Sequence, residues 1–87
     1  MELYYHRRFK KQYRKLAPQL QQKVDHTIRL FEKNHHDSHL RNHALSGTFQ
    51  GERAISVTGD MRIIFREEND YQRVTLLRVG THNQVYK

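Results

Sequence analysis

The chain has 87 residues, no cysteine and a formal net charge of +7, from 16 Lys and Arg against 9 Asp and Glu. A chain of this length has room for one thin hydrophobic core, so we expect residues 1–87 to form a single domain. The absence of cysteine excludes disulfides and thiolate zinc sites, and no stretch approaches the roughly 18 apolar residues of a membrane span. We therefore expect a cytoplasmic protein with no membrane partner. The charge favours a polyanionic partner, with nucleic acid the first candidate and a generally basic surface the alternative.

The first third of the chain predicts a short strand and then two helices. Residues 2–5 alternate in the manner of a strand. Apolar residues then recur at helical spacing: Phe9, Tyr13 and Leu16 in a first helix, and Leu20, Val24, Ile28 and Phe31 in a second. Pro18 suits the start of the second helix, where its missing N–H costs nothing, and Asn34 is the predicted end. The two helices should form a hairpin on one face of a sheet.

The first helix carries its cations on the side that faces away from the apolar stripe. These cations are Arg8, Lys10, Lys11, Arg14 and Lys15. Two interpretations remain open at this point. The basic side is either a solvated face over a small core or a face that contacts phosphates.

Residues 35–43 hold four of the seven histidines. His35 and His39 have the i, i+4 spacing that can clamp a metal ion on a helix. However, no third ligand stands at a recognised spacing, and the Asp, Ser and Asn content indicates a loop. We therefore expect no metal site and no other cofactor.

Residues 51–66 predict a β-hairpin. Two runs rich in β-branched and aromatic residues flank the turn residues Thr58, Gly59 and Asp60. Arginines on or beside these strands predict an exposed cationic face. A two-residue turn places Arg53, Ile55, Val57, Asp60, Arg62 and Ile64 on one face, and Ala54, Ser56, Met61, Ile63 and Phe65 on the other. A three-residue loop reverses that partnership.

A last strand is predicted after the hairpin. Residues 73–79, R-V-T-L-L-R-V, have the apolar content of a central or near-central strand, and Gly80 is its predicted end. The tail places His82 and Tyr86 just beyond this strand. Side chains at a strand end are well placed to form the mouth of a site.

Two motifs carry a family resemblance. Residues 59–65, G-D-M-R-I-I-F, and residues 80–86, G-T-H-N-Q-V-Y, occur in this order behind a helical pair. With these motifs the chain resembles, over nearly its whole length, the bacterial RelE/ParE toxin superfamily, and within it the RelE/StbE and YafQ-like members. The resemblance implies an α+β, microbial-RNase-like fold with an antiparallel sheet of about four strands and two N-terminal helices on one face. It also implies a toxin that is neutralised by a cognate acidic antitoxin and cleaves mRNA in the ribosomal A site.

Metal-free RNA cleavage needs a base for the 2′-hydroxyl, an acid for the leaving oxygen and fixed cations for the charge that develops between them. The resemblance implies His82, of the G-T-H motif, as the general acid, and His43 as the base. For His82 the alternative is a surface histidine that supports a turn. For His43 it is simple membership of a histidine-rich loop.

The resemblance also implies the groups that bind RNA. Arg62 would bind the scissile phosphate through its planar guanidinium, with Arg53 and Arg78 adding positive field. Tyr86 would stack on an unpaired base. Asp60 would orient a histidine or hold Arg62, or else only cap its turn. The alternatives are cross-strand charge pairing for the arginines and core packing for Tyr86.

The chain departs from YafQ-like proteins at three positions, with Ala54 and Ser56 in place of an aspartate and a histidine, and Met61 in place of an aromatic residue. Two functions from different classes therefore remain. One is a ribosome-dependent endoribonuclease. The other is a function without catalysis, because a fold alone does not determine function. It is either that of a ParE-like toxin that poisons DNA gyrase or that of a degenerate module that binds only antitoxin or RNA.

Overall fold

The structure, a computed structural model, describes residues 1–86. The strands are β1 (Glu2–Tyr5), β2 (His43–Ala44), β3 (Arg53–Ser56), β4 (Met61–Glu68) and β5 (Arg73–Thr81), and the helices are α1 (Arg7–Arg14), α2 (Pro18–Lys33) and α3 (His82–Val85). The strands form one sheet in the order β1-β5-β4-β3-β2. The α+β class and the packing of the first two helices on one sheet face are confirmed. Within residues 1–86, no helix has the length and apolar character needed to cross a membrane.

The sheet is mixed and has five strands, where about four antiparallel strands were predicted. β1 lies parallel to β5, with Leu3 opposite Val74. The short β2 pairs only with Arg53 and Ala54 of β3. The parallel pair joins the two ends of the chain, so its direction depends on how the intervening helices return the chain to the sheet. Local sequence carries no signal for that.

The helical pair follows the predicted pattern. α1 begins at Arg7, where the His6 side chain accepts a hydrogen bond from the Arg8 N–H. α2 begins at Pro18, as its fixed φ favours, and ends at Lys33 with Asn34 as the capping residue. β5 runs through Gly80 to Thr81, so Gly80 does not end it as predicted.

The β3–β4 turn is a three-residue loop, so the face assignment from a two-residue turn is wrong and the alternative is correct. The Val57 N–H donates to the Met61 carbonyl, which leaves residues 58–60 as the loop. Ala54 then lies opposite Ile64, and Ser56 opposite Arg62. Because one residue of slip exchanges the two sides of a strand, Arg62 moves to the face away from Arg53.

Apolar side chains cover both faces of the sheet. On the helical side, the buried core contains Phe9, Val24, Ile28, Phe31, Leu40, Ile55, Met61, Ile63, Phe65, Tyr71, Val74, Leu76 and Val79. On the other side, a small cluster of Ala54, Ile64 and Val85 is flanked by Leu45, Leu77 and Tyr86. We call this second side the α3 face. It carries most of the predicted site residues.

Candidate active site

The short helix α3 is fixed to the sheet by three kinds of contact. Thr81 Oγ1 accepts from the Gln84 N–H, while Gln84 Oε1 accepts from the Thr81 N–H, so the two residues form a capping box. Val85 is fully buried in the small cluster. Gly80 lets the helix pass close over the strand, because a Cβ there would lie 2.7 Å from Gln84 Oε1.

These contacts bring His82 and Tyr86 together at one end of the sheet. Their ring centroids are 4.6 Å apart, with the planes at 61°. The His82 N–H donates to the Asp60 carbonyl at 2.8 Å, which joins α3 to the β3–β4 loop. The His82 side chain is exposed and Tyr86 is half-buried. The histidine is therefore held in place by its neighbours while its ring faces solvent.

Tyr86 is followed by a row of groups in contact with one another, Phe49 and Arg78. The Phe49 ring packs edge-on to Tyr86, with centroids 5.5 Å apart, and the Arg78 guanidinium lies 5.3 Å from the Phe49 centroid. Arg78 also donates to the Val85 carbonyl and, at 2.6 Å, to Glu52 Oε1. Its side chain is only 11 % exposed. Arg78 thus anchors α3 to the sheet, and little of its guanidinium is free to meet a phosphate.

Arg62 lies on the α3 face beside the β3–β4 loop. Its Nη1 donates to the carbonyls of Thr58 and Met61, at 2.9 Å and 3.0 Å. The arginine–carboxylate ion pairs among residues 1–86 are those of Glu52 with Arg66 and Arg78. Within this part of the chain, Arg62 is therefore not engaged in cross-strand charge pairing, and no carboxylate forms an ion pair with it.

His43 lies on the α3 face at the edge of the sheet, because it pairs with Ala54 and cross-strand partners share a side. Its Nδ1 is 2.8 Å from the Arg41 carbonyl. A carbonyl only accepts, so in the neutral ring this contact places the proton on Nδ1 and leaves Nε2 with a lone pair. A neutral ring in this tautomer can accept a proton at Nε2.

Asp60 lies in the loop, and its carboxylate does not cap the turn. Thr58 Oγ1 does so instead, accepting from the N–H groups of Asp60 and Met61. The Asp60 backbone carbonyl binds His82, while its side chain is exposed. Asp60 therefore positions His82 through its backbone carbonyl.

Arg53 is not part of this group. It pairs with Phe65 and so lies on the helical side of the sheet, where its Nε donates to Asn42 Oδ1 at 3.0 Å. The sequence placed it with Arg62 because a two-residue turn gives both the same side. The three-residue loop separates them.

The three positions where the chain departs from YafQ-like proteins have different environments. Ala54 is fully buried under α3. Ser56 is half-buried and lies opposite Arg62 on the α3 face. Met61 is 5 % exposed and belongs to the core on the helical side. Among these positions, only Ser56 borders the candidate site.

The histidine-rich segment is a loop, as predicted. α2 ends before it, and a 3₁₀ helix spans Ser38–Leu40, so His35 and His39 do not share a helical face. The His35 ring stacks on Tyr71 at 3.8 Å between centroids, and His39 Nδ1 lies 2.9 Å from Asp37 Oδ1. Within residues 1–86, no three His, Asp or Glu side chains are grouped closely enough to hold a metal ion.

Sequence reasoning missed the groups that support the site. α3 itself was not predicted, although T-H-N-Q at residues 81–84 has the capping-box pattern of Ser/Thr followed three residues later by Glu/Gln. Phe49 and Glu52 were also not assigned to the site from the sequence. Their contacts with Tyr86 and Arg78 join distant parts of the chain, so no local residue pattern predicts these contacts.

The chain is similar to known toxins in both sequence and structure. Its residues 1–87 match the family model described as "Bacterial toxin of type II toxin-antitoxin system, YafQ". No curated protein matches the chain by sequence.

Among solved structures, YafQ from E. coli strain BL21(DE3) has 21% identity and a TM-score of 0.81, over 99% of this chain and 98% of that one. The E. coli DinJ-YafQ toxin-antitoxin complex has 22% identity and a TM-score of 0.77, over 99% and 97%. The YoeB/ParE toxin from Agrobacterium tumefaciens has 18% identity and a TM-score of 0.78, over 94% and 99%. At such identities these likenesses show the fold, whereas the family model covers the whole chain and confirms the resemblance seen in the motifs. The chain therefore belongs to the YafQ family of bacterial toxins of type II toxin–antitoxin systems.

Proposed function

We propose that this toxin is an endoribonuclease that cleaves mRNA in the ribosomal A site by attack of the adjacent 2′-hydroxyl, without a metal ion. One observation carries the proposal. His82, held by Tyr86 and by the Asp60 carbonyl, lies at the same end of the α3 face as Arg62, which forms no ion pair with a carboxylate of residues 1–86. The exposed histidine can supply the acid for RNA cleavage, the guanidinium can supply the fixed cation, and the aromatic ring offers a surface on which a base can stack.

In this mechanism His43 Nε2 accepts the proton of the 2′-hydroxyl, and the resulting oxygen nucleophile attacks the adjacent phosphorus. Arg62 binds the phosphate and stabilises the negative charge that accumulates on its oxygens. The bond from phosphorus to the 5′-oxygen breaks, and His82 donates a proton to that oxygen. The products carry a 2′,3′-cyclic phosphate and a 5′-hydroxyl. Tyr86 stacks on an unpaired base and so orients the strand.

The product ends test the route. Cleavage of programmed ribosomes should leave 2′,3′-cyclic phosphate or 3′-phosphate ends, since the bond to the 5′-oxygen breaks and phosphorus stays bonded to the 3′-oxygen. Because the ribosome itself needs magnesium, the ends are a better measurement than metal removal. Uniform 3′-hydroxyl ends would exclude 2′-hydroxyl attack.

Substitutions at the site test the roles. His82→Gln keeps a polar side chain but cannot deliver a proton, so cleavage should fall by ~10² to 10⁴ while ribosome affinity stays near that of the wild type.

Arg62→Ala should weaken both affinity and cleavage, and the affinity loss should shrink at higher salt. Arg62 also bonds to two loop carbonyls, so Arg62→Ala should cost about 1–3 kcal/mol of stability and be assayed well below its melting temperature. Full cleavage by folded His82→Gln would assign the acid to another residue.

The gyrase alternative predicts a different first target in the cell. On induced expression, methionine incorporation should fall before thymidine incorporation. The reason is that the basic α3 face, with His82 and Tyr86, suits an RNA phosphate, so translation should stop before DNA replication does. If thymidine incorporation falls first, the gyrase function replaces the one proposed here.

We also propose a cognate acidic antitoxin as partner of this chain. The family consists of toxins of toxin–antitoxin systems, and the chain carries a charge of +7. A small acidic protein complements that charge and can mask the cationic groups of the toxin. A gene for such a protein should lie directly beside the toxin gene, and its product should restore growth when both are expressed.

A further inference from the structure

We propose that a second RNA phosphate binds in a groove between the start of α1 and the α3 face, where Arg8 and Arg66 hold it. This inference rests on the function proposed above, because it extends the RNA path beyond the scissile bond. The groove is a cavity of about 280 Å³ lined by His6, Arg8, Glu52, Arg66, Leu77 and Arg78. We call it the α1–β4 groove.

The α1–β4 groove continues directly from the candidate active site. Arg78 belongs to both, since its guanidinium lies against Phe49 and the residue also lines the groove. Phe49 in turn packs on Tyr86, and Tyr86 on His82. A strand whose reacting phosphate lies beside His82 therefore has a continuous surface to follow, from α3 to the start of α1.

The groove contains more arginines than carboxylates. Among its lining residues, Glu52 is the single carboxylate, and it lies 2.6 Å from Arg78 Nη2 but 3.5 Å from Arg66 Nη2. The short contact commits the carboxylate mainly to Arg78. Arg66 is 55 % exposed. Arg8 is exposed, and the arginine–carboxylate pairs within the described residues do not include it. Two guanidinium groups are thus available to an anion.

The arrangement differs from ordinary surface arginines. Arg8 comes from the first turn of α1 and Arg66 from β4, so the fold brings two like charges from distant parts of the chain into one concavity. Like charges gathered in this way raise the energy of the free protein, and a bound anion relieves it. A guanidinium pair fits a phosphate well, because each planar group offers two parallel N–H donors.

The ligand is a phosphodiester of RNA, and either of two molecules can supply it. One is the mRNA strand next to the cleaved bond, and the other is ribosomal RNA around the A site. Both present the same group to the groove. Separate binding measurements distinguish them.

The test uses two substrates and a matched control. Arg66→Gln and Arg8→Gln remove one charge each from the groove, and Arg29→Gln removes one charge from the exposed side of α2. Binding is measured to a single-stranded oligonucleotide with 2′-O-methyl sugars, which cannot be cleaved, and to vacant ribosomes. Each groove substitution should weaken binding about tenfold in one or both measurements, the size of one charge-assisted contact. For the oligonucleotide, the slope of log K against log salt should fall by about 0.7 per lost contact.

Glu52→Gln provides the opposite change. It removes the carboxylate that competes with a phosphate for Arg66, so RNA affinity should rise while the thermal midpoint falls. Structural damage alone does not raise affinity, and the Arg66 and Arg8 variants decide the matter if Glu52→Gln fails to fold.

The outcomes separate the groove from the catalytic proposal. A loss confined to the oligonucleotide identifies mRNA as the ligand, and a loss confined to ribosomes identifies ribosomal RNA. If the wild type cleaves but both groove variants bind like Arg29→Gln, the groove proposal is wrong and the function stands. If the groove variants bind more weakly than Arg29→Gln but no toxin cleaves, the groove stands and the catalytic proposal fails. Failure of the wild type to bind either molecule overturns the groove.

Discussion

Gly80 determines how closely α3 can approach the sheet. A Cβ at this residue would lie 2.7 Å from Gln84 Oε1 and 3.2 Å from Gln84 Cβ, whereas a Cβ at Gly59 would have no atom within 4 Å. Gly80→Ala should therefore push Gln84 out of the capping box, cost about 1–3 kcal/mol of stability and reduce cleavage by displacing His82. Gly59→Ala should change stability by less than about 0.5 kcal/mol. Urea unfolding and a cleavage assay on both variants check this, and equal effects would contradict it.

His35 links the end of α2 to Tyr71 of the β4–β5 turn. Burial lowers the pKa of His35 below its ordinary 6.5, and His36 adds to the lowering, while Asp70 and Glu67 act in the opposite direction. The unfolded chain therefore binds more protons than the folded protein just below pH 6.5. As a result, His35 makes the free energy of unfolding decrease when the solution is acidified through that region.

His35→Phe keeps an aromatic ring against Tyr71 but removes the titrating group. Its thermal midpoint should depend less on pH than that of the wild type between about pH 5 and pH 7. His26→Phe serves as a control for the change in ring type, because it lies at an exposed position of α2 away from His35. An unchanged slope for His35→Phe would mean that other groups set the acid sensitivity.

At the scale of elements, α2 is the longest helix and its start lacks a side-chain cap. Ala17 occupies the N-cap with φ −60° and ψ 150°, and its methyl group accepts no hydrogen bond. Ala17→Ser should supply an acceptor for a first-turn N–H and raise the free energy of unfolding by about 1 kcal/mol. Ala44→Ser, at an exposed position of β2, makes the same chemical change away from a helix end and should be close to neutral. Chemical denaturation midpoints compare the two, and equal midpoints would argue against a capping effect.

The two helical layers of the molecule have different tasks. α1 and α2 bury the main core on one side of the sheet, whereas α3 covers only Ala54, Ile64 and the residues around them. The smaller cluster adds little buried area, so α3 depends on its capping box and on the Arg78 bond to the Val85 carbonyl. Interactions on the α3 face therefore set the geometry of the site more than the stability of the fold.

At the scale of the whole molecule, the charge of +7 should control association with ribosomes. Each phosphate contact releases counterions, so log K should fall linearly with log salt. Raising the salt from about 50 to 200 mM should weaken binding by more than tenfold, with the thermal midpoint in the same buffers as the control. Affinity that does not change with salt would show that apolar contacts dominate.

The sequence by itself determined the helical pair, the β-hairpin and the last strand. It did so because helical spacing of apolar residues, Pro18 and the turn residues 58–60 act over a few residues. The motifs at residues 59–65 and 80–86 also sufficed to indicate the toxin family, and most of the site residues follow from them. His82, Tyr86, Asp60 and Arg62 do lie together at one end of the sheet.

The tertiary structure alone decided which side of the sheet each arginine occupies. One extra residue in the β3–β4 loop exchanges the faces, so Arg53 lies with the helices and Arg62 with α3. It also decided the parallel pairing of β1 with β5, and the commitment of Arg78 to Glu52. These features join residues far apart in the chain. Their energies depend on packing and on charge partners that no local pattern contains, which is why only the folded chain shows them.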